Sequence, residues 1–171
     1  PNTGTTDTAD TSSTDFGPQF SMMTEEFGQS MLLSAWSDGD TAIIVGGELH
    51  GGEASLVFYD GQTLCEETSV ADRPLWWIHG PTEGEWYAVG DEGIIIHSVD
   101  GKRTREDVTT TATLYGVYAY ENGDVYAVGG DPFAGTGVIY KRSKGKWSLF
   151  ADDLPDTVFK VWRSWFVGVG F

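Results

Sequence analysis

The chain has 171 residues, 13% of them aromatic, with 23 glycines and a formal net charge of −16 from 26 acidic and 10 basic side chains. That charge repels phosphate backbones and anionic lipid, which argues against nucleic acid or a membrane surface as partner. The single cysteine, Cys65, allows no intramolecular disulfide and is expected to pack within a strand, and no apolar run approaches the ~18 residues of a membrane-spanning helix.

Residues 1–17 open with PNTGTTDTADTSSTD, which has almost nothing to bury and cannot offset the entropy of ordering, so they read as a disordered Thr/Asp linker. Next, QFSMMTEEFGQSML (19–32) aligns without gaps with KWSLFADDLPDTVF (146–159), matching Phe20 to Trp147 and Glu25-Glu26 to Asp152-Asp153. Segment 18–30 is therefore expected to be an outer strand with no unit of its own, placed to close a ring.

Three stretches then repeat: MLLSAWSDGDTAIIVG (31–46), LWWIHGPTEGEWYAVG (75–90) and LYGVYAYENGDVYAVG (114–129), each with an apolar residue fifteen positions before a glycine. A fourth, VFKVWRSWFVGVG (158–170), reads as the same unit with three residues fewer in its turn. Polar turns at Asp38-Gly39-Asp40, Glu83-Gly84-Glu85 and Asn122-Gly123-Asp124 divide each stretch into two short strands. A third strand is predicted at 54–59, 94–99 and 137–141, closed by Asp60-Gly61, Asp100-Gly101 or Lys144-Gly145, and a more polar fourth strand follows as an outer edge.

Runs such as Leu75 to Ile78, Ile94 to Ile96 and Val125 to Val128 are apolar on both faces, which suits sheets stacked face to face, and they are too short and β-branched for helices. Four antiparallel strands recurring every 39 to 44 residues match the blade of a β-propeller. The fold class is thus all-β, with about three and a half blades: 31–74, 75–113, 114–157 and a half blade at 158–171. The stop after a second strand is expected to reflect truncation at the C-terminus. The other arrangement considered is a pair of half-rings from two copies.

Two blades carry resemblances. VYAVGG followed by VIYKRSKGKWSLFADDLP resembles a kelch unit through Gly129-Gly130, Tyr140 and Trp147. GDEGIIIHSVDGKRT resembles the Asp-box repeats of sialidase-like and photosystem II assembly factor-like propellers through Ser98, Asp100, Gly101 and Thr104, with Lys102 and Arg105 standing where the box has its second glycine and closing tryptophan. Taken together, residues 18–171 resemble the divergent propellers of exported bacterial proteins, many of which follow a low-complexity spacer. The resemblance implies an extracytoplasmic place, at the bacterial cell surface or in the periplasm, with lipid anchoring through a removed N-terminal segment. It implies no single chemistry.

No catalytic constellation, metal set or cofactor motif stands out in the sequence. His79 is expected to fill a packing role and His97 to be a strand residue with a backbone partner. His50, between Glu48 and Glu53 in a glycine-rich insertion, reads as a solvated loop rather than a metal ligand. A sialidase-like site would need clustered arginines, but Arg103 and Arg105 fall on an outer strand and Arg142 just after a third strand. What remains is a loop face, formed where second strands lead to third and fourth strands lead to the next blade. Its candidate binding residues are Glu48, His50, Glu53, Arg73, Asp91, Glu92, Asp131 and Phe133. The expected function is non-enzymatic binding of a protein or glycan. The alternative is a glycoside hydrolase or lyase whose active site is completed by further blades.

Overall fold

The computed structural model describes residues 30–48, 52–68 and 70–168. Segment 18–29 and His50 lie outside these residues. Three four-stranded antiparallel sheets and a two-stranded one follow in chain order. The first comprises β1 (Met31–Ser37), β2 (Ala42–Gly47), β3 (Ala54–Tyr59) and β4 (Leu64–Thr68). The second comprises β5 (Leu75–Thr82), β6 (Glu85–Gly90), β7 (Ile95–Val99) and β8 (Lys102–Arg105), with a single 3-10 turn at Asp91–Gly93. The third comprises β9 (Thr113–Ala119), β10 (Val125–Asp131), β11 (Thr136–Ser143) and β12 (Lys146–Leu154), and a hairpin of β13 (Val158–Trp162) and β14 (Trp165–Gly168) follows. Strand order within each sheet is sequential and the first strands of consecutive sheets touch one another, so β1, β5, β9 and β13 line the axis of a partial propeller.

The stacking explains why the strands are apolar on both faces. In β7 and the residue before it, Ile94 and Ile96 join the cluster shared with the first blade (Val45, Leu56, Trp86), whereas Ile95 joins the one shared with the third (Tyr87, Leu114, Val125). Strand alternation sends successive side chains into different blade interfaces. Ser98 continues this pattern on the first-blade side, fully buried, and its Oγ has no hydrogen-bond partner among the described residues. Removing that hydroxyl deletes a desolvation cost and no hydrogen bond among the described residues. Ser98→Ala is therefore expected to leave thermal stability unchanged or to raise it by about 1 kcal/mol, as differential scanning fluorimetry would read.

The repeated glycines have a steric cause. A Cβ on Gly46, Gly90, Gly129 or Gly168 would meet the carbonyl oxygen of Met31, Pro74, Thr113 or Thr157 at 1.9, 2.1, 1.9 or 2.7 Å. Each second strand leaves its blade directly against the backbone that enters the first, and only glycine fits.

This register corrects the gapless alignment in two places. Gly46 pairs with Leu32, not Met31, so the first unit is one residue shorter than the next two. Gly168, not Gly170, stands opposite Val158, so the turn of the fourth unit is five residues shorter, closing at Arg163-Ser164 between paired Trp162 and Trp165. Three other expectations are corrected. Cys65 is exposed on β4 rather than packed. Arg142 lies within β11 rather than after it. His97 has carboxylate partners rather than a backbone one, with Nδ1 3.0 Å from Glu106 Oε1 and Nε2 3.0 Å from Glu85 Oε1.

That last contact belongs to a polar lock between the second and third blades. Glu106, in the connection after β8, accepts from Arg142 Nε at 2.8 Å and Trp147 Nε1 at 3.0 Å on Oε2, and from Arg142 Nη2 at 3.1 Å on Oε1. The Tyr87 ring stacks on His97 at 4.0 Å, and the Arg142 guanidinium lies 5.5 Å from the Tyr87 centroid. Burial alone would raise the Glu106 carboxyl, but the hydrogen bonds from Arg142, His97 and Trp147 outweigh it and hold it below the usual carboxylate range.

Candidate functional site

The corrected register shows that every first strand carries a β-bulge at the same place. Pairing skips Leu33 in β1, Trp76 in β5, Tyr115 in β9 and Phe159 in β13. A bulge inserts an unpaired residue and re-aims its side chain. Three of the four are aromatic and they form a row across adjacent blades: Trp76 and Tyr115 meet edge to face with centroids 5.2 Å apart, and Tyr115 and Phe159 are 4.8 Å apart. All three are half-buried.

The row sits at the end of the molecule where second strands pass to third strands. There the loops tie to the blade-to-blade connections: Ala54 N–H donates to Ala71 O at 2.9 Å, Gly93 N–H to Ala112 O at 3.1 Å, and Thr157 Oγ1 to Thr136 O at 3.1 Å. An acidic residue stands at the end of each of the three longer second strands, Glu48 just after β2, Asp91 just after β6 and Asp131 as the last residue of β10. Asp91 is bound into the aromatic row, since its Oδ1 accepts from Trp76 Nε1 at 2.8 Å and from Thr113 Oγ1 at 2.8 Å. Asp131 Oδ1 accepts the amides of Phe133 and Ala134 at 2.9 and 3.1 Å, which shapes the loop tip. Burial raises the Tyr115 hydroxyl, the side chain of Thr113 opposes it, and the charges of Asp91 and Asp131 raise it further.

The remaining candidates divide. Arg73 Nε stands 3.3 Å from Glu92, whose backbone takes a left-handed φ of 54°. That pair rims the row beside Asp91. Phe133 is fully exposed at the tip of the third-blade loop. With Pro132, Ala134, Pro155, Asp156 and Phe159 it encloses a hollow of about 510 Å³ next to the last ring of the row. Glu48 and Glu53 flank the first-blade loop, where Glu48 N–H donates to Glu53 O at 3.1 Å. His50 falls outside the described residues. Among those described, no three His, Cys, Asp or Glu side chains converge as metal ligands would.

Two further features belong to the axial strands, and the first gives His79 the packing role expected of it. A second row of rings, His79, Tyr118 and Trp162, lies nearer the opposite end, with Trp36 at the matching position of β1 against Gly80. His79 stacks on Tyr118 at 4.2 Å and Tyr118 meets Trp162 at 5.4 Å. His79 Nδ1 accepts the Ala119 amide at 3.2 Å, and burial lowers its imidazole. Between the rows lies Lys160, whose Cα packs against Gly116, where a Cβ would stand 2.9 Å from Phe159 O and 3.2 Å from Lys160 Cα. Its Nζ lies 3.5 Å from the Trp77 ring centroid and donates to Tyr115 O at 2.9 Å. Burial lowers this amine to about 8. Lys160→Met keeps the stem and removes a costly buried charge. It is expected to alter thermal stability by less than about 1 kcal/mol at neutral pH, whereas Gly116→Val, which crowds the backbone of β13, is expected to cost about 2 kcal/mol; chemical denaturation of both variants checks the contrast.

No family model matches the chain, and no curated protein matches it. Among solved structures, a chain titled "YCF48 bound to D1 peptide" superposes with a TM-score of 0.55 at 12% sequence identity, over 82% of this chain and 45% of its own. This chain thus spans less than half of that one. The likeness is one of fold, and with the blade order it establishes a partial β-propeller.

Proposed function

We propose that the protein is a non-catalytic interaction module that binds a protein segment on its loop face, over the bulged row Trp76, Tyr115 and Phe159. The row carries the reading: four bulges at one position spend ladder hydrogen bonds, and three of them turn aromatic rings toward loops that already hold the exposed Phe133. Aromatic side chains near a concave, partly polar surface are the usual anchors of protein interfaces. The solved neighbour's printed title names a bound peptide, which agrees with this class of function.

The finer reading places the module outside the cytoplasm, on the strength of the Thr/Asp-rich opening and of the kelch-like and Asp-box-like residues. Panning a random peptide library on the wild type and on a Trp76→Ala, Tyr115→Ala, Phe133→Ala variant tests the binding reading, with circular dichroism confirming that the variant is folded. Enrichment on the wild type that disappears on the folded variant supports the loop face. Equal enrichment on both overturns it.

A further inference from the structure

We propose that the segment held on this face is cationic, an extended peptide whose arginine or lysine side chains enter between the bulged rings and the carboxylates at the ends of the second strands. The proposal deepens the loop-face reading and rests on it.

Charge complementarity argues for it. The loops of this face, at 47–54, 71–74, 91–93, 131–137 and 155–157, carry seven carboxylates and one guanidinium. That guanidinium, Arg73, is already paired with Glu92. Of the other nine basic side chains, Arg105 reaches this end from β8 and pairs with Asp72 at 2.8 Å, so carboxylates still outnumber cations here.

Spacing argues for it as well. Asp91 is fixed against the edge of Trp76, which meets Tyr115 edge to face, and Asp131 ends β10 next to Gly130, which pairs with Thr113 on the strand that carries Tyr115. Both hydrogen bonds to Asp91 end on Oδ1. A cation beside an aromatic ring and a carboxylate gains from both the ring quadrupole and the ion pair. An anionic ligand would meet net repulsion from this excess of carboxylates. The nearest buried cation, Lys160, is turned to Trp77 and to a backbone carbonyl, below the row.

The test is a titration of the whole chain with the probes Gly-Arg-Gly-Arg-Gly-Arg, its lysine and glutamate counterparts, an all-Gly/Ser peptide and cellohexaose. Tryptophan fluorescence and calorimetry read binding at low salt and at about 0.3 M salt. Three variants accompany the wild type: Asp91→Asn with Asp131→Asn, Trp76→Leu, and Asp152→Asn with Asp153→Asn on the outer strand β12 as a charge-matched control. The arginine probe should bind in a salt-dependent way. It should weaken about tenfold in the first two variants, the worth of one desolvated cation contact, and by less than about twofold in the control. Equal weakening in the control would overturn the proposal as diffuse attraction to an acidic protein. Binding of the neutral peptide or of cellohexaose, dependent on Trp76 and indifferent to Asp91 and Asp131, would overturn the cationic ligand and retain the loop face. Binding of the arginine probe unaffected by any loop-face variant would overturn both.

Discussion

Gly129→Ala is expected to destabilise the protein by more than about 3 kcal/mol, enough to leave much of it unfolded at physiological temperature. The added methyl would stand 1.9 Å from Thr113 O and 2.9 Å from Leu114 Cα, both backbone atoms held in the ladder of β9 with β10. Neither can move without parting the strands that line the axis. Gly129 does not hold a positive φ, so the cost would be purely steric. Gly101→Ala offers the contrast: its φ is 76° and nothing lies within 4 Å of the added carbon. A cost of about 1 kcal/mol is expected there, that of a left-handed alanine. Urea denaturation of the two variants separates close approach from backbone conformation, and equal costs would show that the glycine repeat is a matter of turns alone.

Glu106→Gln is the second large effect. The carboxylate joins Arg142, His97 and Trp147 across the second and third blades, with only 19% of its side chain exposed and 14% of that of Arg142. Neutralising it leaves the guanidinium in a largely dry interface with a weaker acceptor, which is expected to cost about 3 kcal/mol at neutral pH. The folded protein holds this carboxyl below its ordinary value of 4.5. Between those two values the unfolded chain binds more protons than the folded one, so this contribution is complete above pH about 4.5 and is lost as the pH falls through the folded value. The gap in stability between wild type and Glu106→Gln should therefore narrow as the pH falls below about 4.5. Denaturation at a series of pH values reads this directly, and a gap that widened in acid would contradict the assignment.

The fold was legible because its strongest constraint is a backbone collision. Gly46, Gly90 and Gly129 cannot carry a Cβ, so they recur whatever else changes, and they fix the period from which the blades follow. The alternation of Ile94, Ile95 and Ile96 between two interfaces likewise leaves a run of apolar residues that a one-sided sheet would not need.

The site was legible only at its rim. Asp91, Glu92, Arg73, Asp131 and Phe133 were visible as loop residues on a shared face, whereas Trp76, Tyr115 and Phe159 read as ordinary strand residues. A bulge leaves no mark in composition; it emerges from the pairing, as when Trp77 rather than Trp76 stands opposite Val89. The gapless alignment hid it in the first unit by setting Met31, rather than Leu32, against the other strand starts. Glu106 escaped for a different reason: it lies in a connection outside the repeat, and its partners Arg142 and Trp147 are 36 and 41 residues away. Nothing local in the sequence ties these side chains together.

The central claim is that partners meet the chain over the bulged aromatic row. Hydrogen–deuterium exchange of the chain, free and saturated with a peptide enriched by panning, tests it most directly. Protection is expected at residues 91–93, 113–116, 131–137 and 155–159, with no change on the outer strands at 102–105 and 146–154. Protection confined to those outer strands, or to the hairpin turns at the opposite end around Gly39, Gly84 and Gly123, would contradict it.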